Sequence, residues 1–230
     1  MANAEYGYTK TIDVVQYAAG IVFEDDFSWM QALVSEYQAA GTKIGMSVET
    51  NDMKAPAPNC YTATPKLLAE LISQGYIDIH PEWKVIYPQE CYWKFCKTCD
   101  KAASTNGKYN VTGFILPELT GLGTALTVNF KWACHRRVVS GVDETDPVKL
   151  VVEVVKDIKA DGKTAATYTV VYTSDPIETA QPLGQMEWQY ASVVIPDVPE
   201  GCRILIHPEN MKPENDTVNR WYLDDIKITK

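Results

Sequence analysis

The chain has 230 residues, 46% of them apolar, enough to bury a sizeable core, and its 30 acidic against 21 basic side chains leave a formal charge of −9. That balance excludes a nucleic-acid surface, which needs clustered Lys and Arg; the basic run Lys131–Arg137 is too short and too isolated to serve. No apolar stretch is long enough to cross a bilayer and no charged n-region followed by an apolar run opens the chain, although Met1-Ala2-Asn3-Ala4 reads as a trimmed start from which an export signal has been removed.

Residues 1–20 read as an approach segment with one alternating run, Thr11–Tyr17. Ile21-Val22-Phe23 then leads into an acidic knot, Glu24-Asp25-Asp26, closed by Phe27. Ser28–Ala40 has Trp29, Leu33, Val34 and Tyr37 at helical spacing and Gly41 as a stop, while the two prolines of Lys54–Asn59 make a loop. Thr64–Gly75 is the clearest helix: Thr64 caps it, Pro65 takes the first helical position and Gly75 closes it. Its leucines, Leu67, Leu68 and Leu71, should lie hidden over a sheet or its edge.

Beyond that helix nearly every segment alternates and stops at Gly, Pro, Asp or Asn. Strands are expected over Lys84–Tyr87, Tyr92–Cys96, Gly113–Leu116, Ala125–Cys134, Lys149–Val155, Thr167–Thr173, Glu187–Ile195, Arg203–His207 and Arg220–Ile228. So many short strands at this spacing mean a sandwich or a barrel.

Period two also assigns faces. Leu126, Val128, Phe130 and Trp132 belong to the core, and Thr127, Asn129 and Lys131 form an outward polar row. Trp93 and Phe95 point inward with Tyr92 and Lys94 outward; Leu150, Val152 and Val154 point inward with Glu153 exposed. In the last segment Trp221 and Leu223 share a face, yet Ile226 and Ile228 can join it only through a bulge or kink near Asp224-Asp225. Two acids therefore sit where the backbone bends, and the knot at Glu24-Asp25-Asp26 is expected to meet them.

Brought together, Glu24, Asp25, Asp26, Asp224 and Asp225 form a candidate structural calcium site, since calcium takes about six to eight oxygens from carboxylates and the free carbonyls of bent strand ends. Without a cation they repel and at least one carboxyl pKa must rise. The plainer reading is that they are solvated ends of edge strands.

Of the six cysteines, only Cys91, Cys96 and Cys99 cluster. Cys91 falls on the opposite strand face from Cys96 and no second pair completes four ligands, which argues against zinc. Cys134 and Cys202 read as small buried hydrophobes, and disulfide pairings are not legible. His80, His135 and His207 read as surface residues with no nucleophile motif near them. Glu82, Glu90, Glu118 and Asp143 are all conceivable glycosidase acids, and nothing selects a pair among them. No phosphate loop or His-Glu-x-x-His occurs. Aromatic rings left off the core could stack on the apolar face of a sugar: Trp83, Tyr87, Tyr92 and Tyr222, with Asn129 and Lys131 of the polar row beside them.

Tyr92-Trp93-Lys94-Phe95, Gly113–Leu119, Thr127-Val128-Asn129-Phe130 and Trp221-Tyr222-Leu223-Asp224-Asp225-Ile226 come in an order that resembles galactose-binding-like jelly-roll domains of surface lipoproteins and glycan-handling proteins of gut commensal bacteria. The resemblance spans residues 84–230 and takes in the first acidic knot. It implies an all-β, two-sheet antiparallel jelly-roll sandwich over 21–230, with a short helical insertion at about 28–83 after the first strand. It also implies first and last strands lying together, often over a structural calcium. The expected function is a non-catalytic cell-surface carbohydrate-binding module, exported to the extracellular or outer-membrane surface, with a glycan or polysaccharide as partner. An adhesion or scaffold protein that binds another protein, and an unrecognised glycan-active hydrolase, are the alternatives. The oligomeric state is not legible.

Overall fold

The computed structural model describes residues 20–29, 70–79, 86–89, 92–95, 113–120, 122–134, 136–146, 148–180, 187–209 and 221–230. Among the described residues thirteen strands run in chain order: β1 Ile21–Asp25, β2 Ile77–Asp78, β3 Ile86–Gln89, β4 Tyr92–Phe95, β5 Phe114–Ile115, β6 Thr124–Cys134, β7 Arg136–Val139, β8 Val142–Thr145, β9 Leu150–Lys159, β10 Thr167–Thr173, β11 Gln189–Val198, β12 Arg203–Pro208 and β13 Trp221–Thr229. They form a six-stranded sheet in the order β11-β6-β13-β4-β3 with β1 also on β13, a five-stranded sheet in the order β10-β9-β12-β5-β2, and the hairpin β7-β8. Every pairing is antiparallel. The protein is an all-β two-sheet sandwich.

The main core lies between the sheets and follows the alternation. Leu126, Val128, Phe130 and Trp132 from β6 and Trp221, Leu223, Ile226 and Ile228 from β13 meet Leu150, Val152 and Val154 of β9 and Ile204 and Ile206 of β12. Cys134 and Cys202 are unbridged thiols buried in this core, where burial pushes the Cys134 thiol up to about 11. Of the expected helix only residues 70–75 are described; 70–73 are helical, and Leu71 is buried. Leu67, Leu68 and most of the insertion lie outside the described residues.

The outer face of the five-stranded sheet is not solvated as alternation suggests. Ile79, Ile115, Val155 and Leu205 form a second apolar cluster there, with Ile77, Ile158 and Tyr168 packed against it. β9 and β12 are thus covered on both sides, and two expectations need correction. Glu153 is half-buried rather than exposed, and His207 is buried rather than at the surface, with its Nε2 3.1 Å from the Glu153 carboxylate. Nε2 stands near that carboxylate but off the line of a good hydrogen bond. His207 Nδ1 is 2.7 Å from the Pro208 carbonyl and Thr173 donates to Glu153 at 3.1 Å. Burial works to raise the Glu153 pKa, but His207 and Thr173 together hold it below the usual value.

β7-β8 was not anticipated. Its turn residues Ser140 and Gly141 have φ of 51° and 81°, the type I′ pattern that suits two-residue hairpins. Ser-Gly between two β-branched runs was the available signal.

Candidate functional site

The site is the outer face of the six-stranded sheet, and the β13 bulge organises it. β13 runs regularly beside β6 from Trp221 to Asp224, shifts register between Asp224 and Lys227, and then resumes to Thr229. Asp225 takes φ 46° there, so the chain gains one residue and Ile226 and Ile228 return to the core side. The same point is a seam. Before it, β13's free edge is held by β4, from Trp221↔Phe95 to Leu223↔Trp93; after it, the edge is held by β1, from Asp25↔Ile226 to Ile21↔Thr229. First and last strands therefore lie together, and the two acidic knots meet.

Each acid at the seam has found a partner. Glu24 takes Lys227 at 3.1 Å. Asp25 accepts from the Phe27 amide at 2.7 Å, the Tyr76 hydroxyl at 2.5 Å and Trp29 Nε1 at 3.3 Å. These bonds hold the turn in which Phe27, at φ 55°, inserts its ring into the core beside Tyr76. Burial raises the Asp25 pKa against the hydrogen bonds that lower it. Asp26 accepts from the Ser28 amide at 2.9 Å, which lowers its pKa. Asp225 pairs with Lys131 and gives its own amide to Asp224 at 2.8 Å. Asp224 bears the crowding: burial first, then the charges of Asp225 and Asp26, push its carboxyl up to about 7.

Among the described residues no group of three His, Cys, Asp or Glu side chains converges to hold a metal ion. Glu24, Asp25 and Asp225 are committed to protein donors, which leaves Asp224 and Asp26 as the carboxylates of the seam with no cationic partner among the described residues.

Beside the seam the register lays out the polar row. Tyr190 of β11 pairs with Lys131, and Lys131 with Asp224; Ser192 pairs with Asn129, and Asn129 with Lys227. Asn129 donates to the Lys227 carbonyl at 3.4 Å, and Lys131 Nζ stands 5.6 Å from the Tyr190 ring centroid. The bond to Asp225 raises the Lys131 pKa and holds it charged. Tyr190 is 81% exposed. It was missed in the sequence, although Ala191, Val193 and Ile195 on the core face of the same strand imply Tyr190, Ser192 and Val194 on the other.

Tyr222 requires correction. Alternation put it on the outer face, and register does pair it with Ala133 and Lys94, but it is 0% exposed because Trp188 closes over it with ring centroids 6.5 Å apart. Tyr222 is a buried support, not a platform. Tyr87 pairs with Lys94, and Tyr92 with Gln89, so both occupy register positions of this sheet. Trp83, Glu82, Glu90, His80 and His135, with Cys91, Cys96 and Cys99, lie outside the described residues. Glu118 and Asp143 are exposed on separate elements.

No family model matches the chain, and no curated protein matches it either. Among solved structures it is similar to carbohydrate-binding modules and an adhesin domain. One, solved for CBM4 structure and function, has 10% identity and a TM-score of 0.39, covering 67% of this chain and 85% of that one. TmCBM61 in complex with beta-1,4-galactotriose has 11% identity and a TM-score of 0.34 over 70% of this chain and 93% of that one. The K3 cleaved adhesin domain of Lys-gingipain from Porphyromonas gingivalis has 14% identity and a TM-score of 0.32 over 61% and 74%. At such scores the likeness says nothing of what this chain binds.

Proposed function

We propose that the protein is a non-catalytic carbohydrate-binding module of the galactose-binding-like jelly-roll kind, exported to the cell surface, and that it holds a glycan on the outer face of its six-stranded sheet. The observation that carries the reading is Tyr190, an aromatic ring 81% exposed beside Lys131, Asp225, Asn129 and Ser192. A flat ring covers the apolar face of a sugar while neighbouring amides, hydroxyls and charges bond its hydroxyl groups. Lys131 is paired with Asp225 and Lys227 with Glu24, which suits a neutral polymer lying across the strands.

The seam enters the reading as a structural calcium site at Asp224 with Asp26. What supports it is the raised Asp224 carboxyl, pushed up by burial first and then by the charges of Asp225 and Asp26, a repulsion that a cation would relieve as well as a proton, and not a gathered set of ligands. A glycan array probed with the whole chain in calcium and in EDTA tests both parts. Retention of neutral polysaccharide in both buffers supports the glycan site alone, retention only in calcium supports both, and no retention in either removes the proposal.

A further inference from the structure

Among the described residues, the end strands of the two sheets are not protected equally. β11 carries Pro196 and Asp197, β3 carries Pro88, β1 carries Glu24 and Asp25, and β2 is two residues long. Prolines, charges, shortness and bulges are devices that keep an edge from pairing with another chain. β10 reads Thr-Tyr-Thr-Val-Val-Tyr-Thr and has neither charge nor proline. It ends the five-stranded sheet, with β9 as its partner among the described residues, and leaves Val170 and Val171 44% and 43% exposed. β9 beside it carries Glu153, Lys156, Asp157 and Lys159, so the charges stop one strand short of the edge.

The strand is also complementary to itself. An antiparallel copy centred on Val170 sets Thr167 against Thr173, Tyr168 against Tyr172, Thr169 against Val171 and Val170 against its own copy. Such Thr–Thr, aromatic and β-branched pairs are the favourable cross-strand combinations, and a two-fold axis needs a surface that matches itself. In a chain of charge −9, an uncharged strand lets two copies approach with no like charges opposed. The register shifts at Thr167/Thr169 and Val170/Tyr172 are the one edge-blunting device on β10; they twist the strand, and a second copy carries the same twist.

We propose that β10 is the contact of a two-fold homodimer in which antiparallel β10–β10 pairing runs the two five-stranded sheets into one. A single strand pair buries less than the roughly 1,200–2,000 Å² of a stable interface, so the dimer is weak and depends on concentration. It gives the assembly two outer faces of the kind described above, and so avidity for a repeating polymer.

Sedimentation velocity of the whole chain from about 1 µM to about 500 µM, with hydrogen exchange over residues 167–173, tests this. The wild type should shift towards the dimer mass, its β10 amides gaining protection as concentration rises. Val171→Lys should weaken the dimer at least about tenfold, and Val171→Thr should keep it. Thr169→Glu, which faces Lys156 across β9, charges the edge without opposing like charges in the monomer and serves if Val171→Lys does not fold. A monomer at every concentration overturns the proposal. So does a dimer that both charged variants leave intact, which puts the contact elsewhere, or β10 protection independent of concentration, which means the chain covers its own edge.

Discussion

Lys131 stands opposite Asp224 in the register of β6 and β13, yet its ammonium pairs with Asp225. The bulge explains the exchange: at φ 46° Asp225 turns back over the outer face and takes the cation that a regular strand would have given to Asp224. Asp224 is left half-buried beside two other carboxylates, and a proton answers the crowding.

Asp224 should therefore make the protein less stable as pH rises. Its pKa is about 7 folded against 3.8 unfolded, so between these values the native state holds the extra proton and stability falls towards neutral pH. With partial solvent screening the effect should be about 1–2 kcal/mol between pH 5 and pH 8. Asp224→Asn should flatten that slope in urea melts; an unchanged slope would mean that Asp224 ionises normally.

Glu153 should act in the opposite sense. Its folded pKa is depressed below 4.5, so its contribution is present above that value and lost as pH falls through the folded pKa. His207→Ala removes the side chain packed against the Glu153 carboxylate and leaves it half-buried with Thr173, which should cost about 1–3 kcal/mol. A loss under about 0.5 kcal/mol would show the pair to be incidental.

Gly113 is fixed by close approach. A Cβ there would lie 2.3 Å from the Ile206 carbonyl oxygen and 2.9 Å from His207 Cβ. Gly113→Ala should cost about 3 kcal/mol in a thermal or urea melt, by forcing β12 away from the segment before β5. A melt like the wild type's would show that β12 can shift freely.

What was legible in the sequence was whatever a single strand dictates. The alternation of Leu126 to Trp132 fixes the face of β6, and the failure of period two between Leu223 and Ile226 requires a bulge at Asp224-Asp225. What was not legible depends on a second layer. Tyr222 has the outward phase it should, but nothing local says that Trp188 covers it. Val151, Glu153 and His207 likewise have outward phase, and the apolar cluster around Ile79 and Leu205 that encloses this side is built from segments far apart in the chain. The acids at the seam were placed correctly as neighbours. Their partners, Tyr76 and Lys131, come from elements that the sequence does not connect to them.

The seam can be tested for calcium by melting the chain in calcium and in EDTA. A site that binds only the folded state adds about 2.7 kcal/mol at a hundredfold excess over Kd, so chelation should lower Tm, and Asp224→Asn with Asp225→Asn should remove the difference. Coincident melts in the two buffers would strike calcium from the account.

The most direct test of the glycan site is affinity electrophoresis of Tyr190→Ala against the wild type in gels containing the polysaccharide retained best on the array. Because Tyr190 is exposed, the substitution should leave the stability within about 0.5 kcal/mol of the wild type's, while retardation falls to that of a non-binding control. Undiminished retardation of a folded Tyr190→Ala protein would contradict the account, since the glycan would then be held somewhere other than the outer face of the six-stranded sheet.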